Sequence, residues 1–96
     1  MAIRFFADKQ AEMFYVFGRL SKGVAWGEIR KVALRKLDML SYAVRLEDLK
    51  SPPGNRLEAL AGNLTGYHSI RLNDQWRIVF RWSHEGAEAV RIVDYH

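Results

Sequence analysis

The sequence closes on Val93-Asp94-Tyr95-His96, which sets a carboxylate, a phenol and an imidazole in successive positions after the strand-like run AVRIV (89–93). One reading is a salt-bridged or frayed strand end, since terminal residues are poorly ordered in most domains. The other is that a rigid strand delivers three proton-handling groups to one place. Beside guanidinium groups, such a set has what cleavage of an RNA phosphodiester by its own 2′-hydroxyl requires. One group takes the 2′ proton, another protonates the leaving 5′ oxygen, and arginine stabilises the pentacoordinate phosphate. Guanidinium stays charged at any ordinary pH, so arginines in this scheme are electrostatic and not bases. Among the acid, the phenol and the imidazole, only the imidazole titrates near neutrality when unperturbed.

The arginines come from the two segments YHSIRL (67–72) and WRIVFRW (76–82). Both alternate apolar and polar residues, as half-buried strands do. A two-residue loop at Asn73-Asp74 would oppose Ile70 with Arg77 and mix apolar and charged residues on one face. A three-residue loop, Asn73-Asp74-Gln75, opposes Leu72 with Trp76, Ile70 with Ile78, and His68 with Phe80. The buried pattern selects the second register, because a one-residue slip turns every side chain over. Asn and Asp tolerate the left-handed backbone that such a hairpin can need. On the opposite face, Arg71 then confronts Arg77, with Arg81, Ser69 and Tyr67 beside them. Like charges directly opposite one another destabilise a sheet. Either an anion sits there, or Asp and Glu side chains neutralise the pair. His68, on the apolar face, is expected to be packed and not catalytic. Alternation in the last strand puts Arg91, Val93 and Tyr95 on one side and Ile92, Asp94 and His96 on the other, but a strand can twist out at its last residues, so alternation constrains the terminal three little.

The elements that must position these groups can be read along the chain. IRFFA (3–7) predicts a short first strand. Asp8 is a helix N-cap, and Phe14, Phe17 and Leu20 give a helical stripe over 9–20 that Gly18 and Gly23 break. A longer helix is expected over about 25–43, with Trp26, Ile29, Val32, Ala33, Leu37 and Leu40 on one face. Arg30, Lys31, Arg35 and Lys36 on its other face read as a solvated surface. LKSPPGNR (49–56) breaks the helical pattern, and LEAL (57–60) begins four period-two segments separated by short turns. The order predicts an α+β fold: a strand, two helices, then an antiparallel meander with the helices packed on one face. Trp26 and Trp76 lie on apolar faces and read as core. Trp82, at a strand end, is the one tryptophan placed to stack on a base.

Composition sets the limits. Ninety-six residues, 49% hydrophobic and 12% aromatic, are expected to form one domain, residues 1–96, with a real core. With no cysteine there is no disulfide framework or thiolate metal site, and His68, His84 and His96 lack metal-ligand spacing. Charges recur through the first ten residues and no long apolar run follows, so neither a secretory leader nor a membrane span is expected. A net charge of +4 and a pI near 9.7 fit a polyanionic partner such as nucleic acid. The expected compartment is the cytoplasm.

Three segments together, SPPGNRLEAL (51–60), GYHSIRLNDQWRIVFRW (66–82) and the terminal VDYH, resemble the HigB or killer-protein branch of the RelE-type toxins of bacterial type II toxin–antitoxin systems. The resemblance runs from the first strand to His96 and is most specific over 51–96. It implies a RelE-like fold and ribosome-dependent endoribonuclease activity that cuts mRNA in the A site without metal or cofactor. It also implies inhibition by a cognate helix-turn-helix antitoxin. The partners would be that antitoxin, RNA, and the 70S ribosome with its mRNA. Position by position, Arg77 matches the arginine such toxins direct at the scissile phosphate, and Asp94, Tyr95 and His96 match their C-terminal Asp-Tyr-His. Arg71, in the SIR of the family pattern, is an expected further phosphate contact; Arg81 is a third expected contact from its place beside the pair on the same face, not from the family pattern.

The sequence also departs from the family pattern. Ala61 and Asn63 stand where relatives often carry Lys and Asp, which removes one expected RNA contact. Glu58 stands where some have histidine, and reads as an exposed strand carboxylate. The lysines that well-known members use over 67–72 are absent, which leaves the general base open. Two readings of other classes remain beside this one: a gyrase-poisoning toxin of related fold that would not need the terminal triad, and a non-catalytic RNA-binding module.

Overall fold

The computed structural model describes residues 3–95. Two helices, α1 (Lys9–Phe17) and α2 (Arg30–Tyr42), precede four strands, β1 (Glu58–Ala59), β2 (Tyr67–Arg71), β3 (Trp76–Ser83) and β4 (Gly86–Asp94). The strands form one antiparallel sheet in the order β1-β2-β3-β4, the expected meander. Ile70, Leu72, Ile78, Phe80, Val90 and Ile92 from the sheet join Ala11, Ala33, Leu37 and Leu40 from the helices in the core. The helices therefore cover one sheet face, and Arg71 and Arg77 belong to the other.

The expected first strand runs parallel beside β4 without becoming a continuous ladder. It bridges at Ile3–Ala87 and Phe6–Val90, with the Arg4 amide donating to the Ala87 carbonyl at 2.7 Å and the Ala7 amide to Val90 at 2.9 Å. Between those bridges lies Ala89, at φ +50°, where the β3–β4 register shifts. A bulge with one left-handed residue interrupts an edge, so pairing along it comes in pieces.

Asp8 caps α1 as expected: one carboxylate oxygen accepts from the amides of Gln10 (3.0 Å) and Ala11 (3.3 Å). The other oxygen accepts from the Ile92 amide at 3.1 Å, so the cap also fastens the helix to β4. The helix ends at Phe17 and not at residue 20, because Gly18 takes the left-handed conformation at φ +67° and reverses the chain. Phe17 is consequently exposed, while Phe14 packs edge-on against Trp26 with ring centroids 5.3 Å apart. The second helix starts later than its apolar pattern predicts. Gly27–Ile29 forms a single 3₁₀ turn before α2 begins at Arg30, in keeping with glycine's poor helix propensity.

The solvated basic face of α2 needs one correction. Lys36 is buried, and its ammonium donates to the side chain of Asn55. Asn55 is itself fully buried and donates to the Leu49 carbonyl at 3.1 Å, which anchors the PPGN turn under the helix. Burial pushes the Lys36 pKa down, and Arg35 and Arg71 push it in the same direction.

The β2–β3 register is the expected one: Ile70 opposes Ile78, His68 opposes Phe80, and Arg71 opposes Arg77. The loop achieves it differently, with no left-handed residue at 73–75. Asn73 Oδ1 instead accepts from the amides of Gln75 (2.9 Å) and Trp76 (2.8 Å), so the side chain substitutes for a backbone turn. His68 packs as expected, stacked on Phe80 at 6.2 Å on the wall of a 270 Å³ cavity shared with Leu46, Lys50 and Leu57. Trp76 and Trp82 both pack against the core, and Trp82 meets Phe80 edge-on, so Trp82 is not a free stacking platform.

Candidate active face of the sheet

Cross-strand neighbours project to the same side of a sheet, so the pairing scheme lays out the uncovered face in rows. One row is Arg71, Arg77 and Val93; the next is Glu58, Ser69, Val79 and Arg91; the third is Tyr67, Arg81 and Glu88. The bulge at Ala89 keeps this arrangement in phase. It absorbs one residue of β4, so that Glu88 opposes Arg81 and stays on the same face as Arg91.

Arg77 stands at the centre. Its side chain is only 7% exposed, and each terminal nitrogen is occupied. Nη1 donates to Glu58 Oε1 at 2.9 Å, while Nη2 donates to the Arg56 carbonyl at 2.6 Å and more weakly to the Ser69 carbonyl at 3.5 Å. The ring of Tyr95 lies over the guanidinium, 5.0 Å from Cζ to centroid. Arg71, across the ladder, pairs with Asp74 in the hairpin loop. The confrontation of like charges is therefore relieved by two carboxylates, Glu58 and Asp74. Glu58 is half exposed, as a strand carboxylate was expected to be, but it is the direct partner of Arg77.

The strand end separates two of its polar residues. The Tyr95 amide donates to the Gln75 carbonyl at 2.7 Å, which extends the pairing past β4 and holds the phenol on the arginine side. Asp94 opposes Trp76, and its carboxylate accepts from Gln75 Nε2 at 2.9 Å. Alternation so brings Tyr95 to Arg77 and sends Asp94 toward the other side. His96 lies outside the described residues. Arg81 shares the face but sits four residues from Arg77, about 13 Å along the strand at the usual rise. There it makes a forked contact with Glu88 Oε1, 3.1 Å from both Nε and Nη2.

Two residues of the face were not foreseen as participants. Arg56 supplies its carbonyl to Arg77 from a left-handed turn at φ +46°, and nothing in the sequence signals that contact. Arg91 was legible only as a neighbour of Tyr95 by alternation. Among the described residues, no group of three or more His, Asp or Glu side chains is gathered closely enough to hold a metal ion. No helix among them is long and apolar enough to cross a membrane.

A four-stranded antiparallel meander backed by two helices, with arginines and two tyrosines, Tyr67 and Tyr95, gathered on its bare face, defines an α+β protein. Comparison with known proteins narrows this further. Residues 4–96 match the family model of the HigB-like toxins, described as RelE-like toxins of the type II toxin–antitoxin system HigB. The chain is 43% identical over 77 residues to Toxin HigB-1 of Vibrio cholerae serotype O1, an alignment covering 80% of each chain. It is 36% identical over 77 residues to an uncharacterized protein of Haemophilus influenzae, covering 80% of this chain and 75% of the other. The chain belongs to the HigB-like, RelE-type toxins of type II toxin–antitoxin systems, and a toxin of that type has an antitoxin as partner.

Proposed function

We propose that this toxin is an endoribonuclease that cuts mRNA in the ribosomal A site and so arrests translation. The observation that carries the reading is the facing pair Arg71–Arg77 with the Tyr95 ring seated on the Arg77 guanidinium. The RNA 2′-oxygen attacks the adjacent phosphorus as its proton passes to a base, and the bond to the 5′ oxygen breaks as that oxygen takes a proton. The products are a 2′,3′-cyclic phosphate and a free 5′-hydroxyl. His96 and Tyr95 are the groups assigned to move the two protons. Arg77 and Arg71 balance the extra negative charge on the phosphate, which is where preorganised cations contribute most. Asp94, through Gln75, steers the strand end that carries both proton-handling groups. No metal or cofactor enters this scheme.

Glu58 now has a mechanistic consequence. Its carboxylate occupies the edge of the Arg77 fork that a phosphate would engage, since guanidinium binds both anions with the same planar geometry. Glu58 is half exposed and free to swing toward water, so substrate exchanges one ion pair for another. A face with so few uncommitted cations binds free RNA weakly. A ribosome that presents and bends the message would supply the positioning, which can amount to several kcal/mol of barrier. The expected compartment is accordingly the cytoplasm, and the partner that silences the site a helix-turn-helix antitoxin.

Primer extension on a defined mRNA, with and without programmed ribosomes, tests the reading. Ribosome-dependent cuts within an A-site codon, absent for His96→Ala and strongly reduced for Arg77→Ala, are the expected result. Full cutting by both variants would overturn it.

A further inference from the structure

Arg71, Arg77 and Arg81 each hold a carboxylate: Asp74, Glu58 and Glu88. Arg91, on the same face, pairs with no carboxylate among the described residues, and its Nε is buried without a hydrogen-bond partner. Its location explains the burial. Arg91 stands on β4 opposite Val79, yet its Cζ lies 5.9 Å from the ring of Tyr67 on β2. To reach that ring the side chain must lie across β3, and Val79, the residue beneath, is 2% exposed although it lies on the face the helices do not cover. Arg81 approaches the same ring, with Cζ at 5.8 Å. Two guanidiniums thus converge on one phenol, with Glu88 the single carboxylate paired there among the described residues. Ser69, in the row of Arg91, likewise keeps a buried hydroxyl without a partner.

Holding two cations against one ring leaves positive charge uncompensated, and tyrosine's face offsets only part of it. We propose that Arg91, with Arg81 and Tyr67, forms a second phosphate-binding subsite that takes an RNA backbone phosphate flanking the scissile one. The inference rests on the endoribonuclease reading for its substrate and adds the path the strand follows. The RNA runs from the Arg71–Arg77 row across Val79 to the Tyr67 row, a distance of about 13 Å along β3. Among the described residues Arg91 is the cation on that path that pairs with no carboxylate, so it engages phosphate without first releasing an acid.

The test is fluorescence anisotropy with a labelled single-stranded RNA bearing 2′-O-methyl groups, which cannot be cleaved, over a series of salt concentrations. Arg91→Gln is expected to weaken binding several-fold at low salt and to reduce the slope of log affinity against log salt by about 0.7, the loss of one phosphate contact. Arg91→Lys, which keeps the charge and loses the planar fork, should restore the slope and part of the affinity. Lys22→Gln, an exposed change in the loop between the helices, should leave both unaltered. An Arg91→Gln slope equal to that of the parent protein overturns the subsite, as does an Arg91→Lys protein that binds no better than Arg91→Gln. Absence of RNA binding by the parent protein at the lowest salt overturns it as well. Ribosome-dependent cleavage, measured in parallel, separates the two failures. Cleavage with unaltered RNA binding by Arg91→Gln refutes the subsite alone, and an Arg91-dependent salt slope without cleavage refutes the nuclease reading alone.

Discussion

Arg77 on β3 reaches over β2 to Glu58 on β1, and the two close an ion pair 2.9 Å long in which the arginine is buried and the glutamate half exposed. That asymmetry makes the glutamate the movable partner. Exposure lowers the cost of parting it from the pair, whereas a buried guanidinium without an anion is expensive.

Replacing Glu58 by Gln tests this directly. The variant keeps a hydrogen-bond acceptor for Nη1 and removes the competing charge, so RNA affinity should rise a few-fold and KM for message should fall. The neutral partner leaves Arg77 less well compensated, and stability should drop by about 1–3 kcal/mol in denaturant melts. An unchanged KM with lowered stability would make Glu58 a purely structural counter-ion.

Tyr95 offers a separation of roles. Tyr95→Phe keeps a ring over the Arg77 guanidinium and loses the hydroxyl, while Tyr95→Leu loses both. If the phenol moves a proton, single-turnover cleavage should fall by roughly 100-fold in the phenylalanine variant. Leucine should also loosen Arg77 and raise KM. Equal rates for Tyr95→Phe and the parent protein would assign the residue to stacking alone.

Asp8 joins the start of α1 to β4 through the Ile92 amide. Asp8→Ala removes the cap and leaves that part-buried amide without its acceptor. The expected loss is about 1–3 kcal/mol, read as a lowered denaturant midpoint with an unchanged slope. Asp8→Asn, which retains one acceptor oxygen, should recover part of it.

Tyr15 provides a pH signature away from the site. Its hydroxyl donates to Asp38 at 2.7 Å, and its pKa is raised, first by burial and then by the Asp38 carboxylate, although a hydrogen bond with Ser41 pulls the other way. A group whose pKa rises on folding stabilises the fold below its unfolded value of 10.0, and that contribution is lost as pH climbs through the folded value. Ultraviolet titration of the phenolates should therefore show one tyrosine ionising late, a step absent from Tyr15→Phe. In the same alkaline range the parent protein should lose more stability than Tyr15→Phe.

Legible along the chain were the order of helices and meander strands, the Asp8 cap, the three-residue hairpin and the register that sets Arg71 against Arg77. All of these follow from side-chain period and from neighbours close along the chain, where the choice between registers turns a whole apolar face in or out. The sequence also marked the two possible answers to the arginine confrontation without choosing between them. That a carboxylate answers Arg77 emerges with the assembled sheet, because Glu58 lies nineteen residues from Arg77 and meets it when β1 folds back beside β2. The same holds for Lys36, polar by pattern yet buried on Asn55, where the PPGN turn closes over the helix. It holds too for Arg91, whose side chain crosses a strand to reach Tyr67. Periodicity assigns a residue to a face. The partner it finds there depends on how long side chains cross between strands, and that is settled only when the sheet assembles.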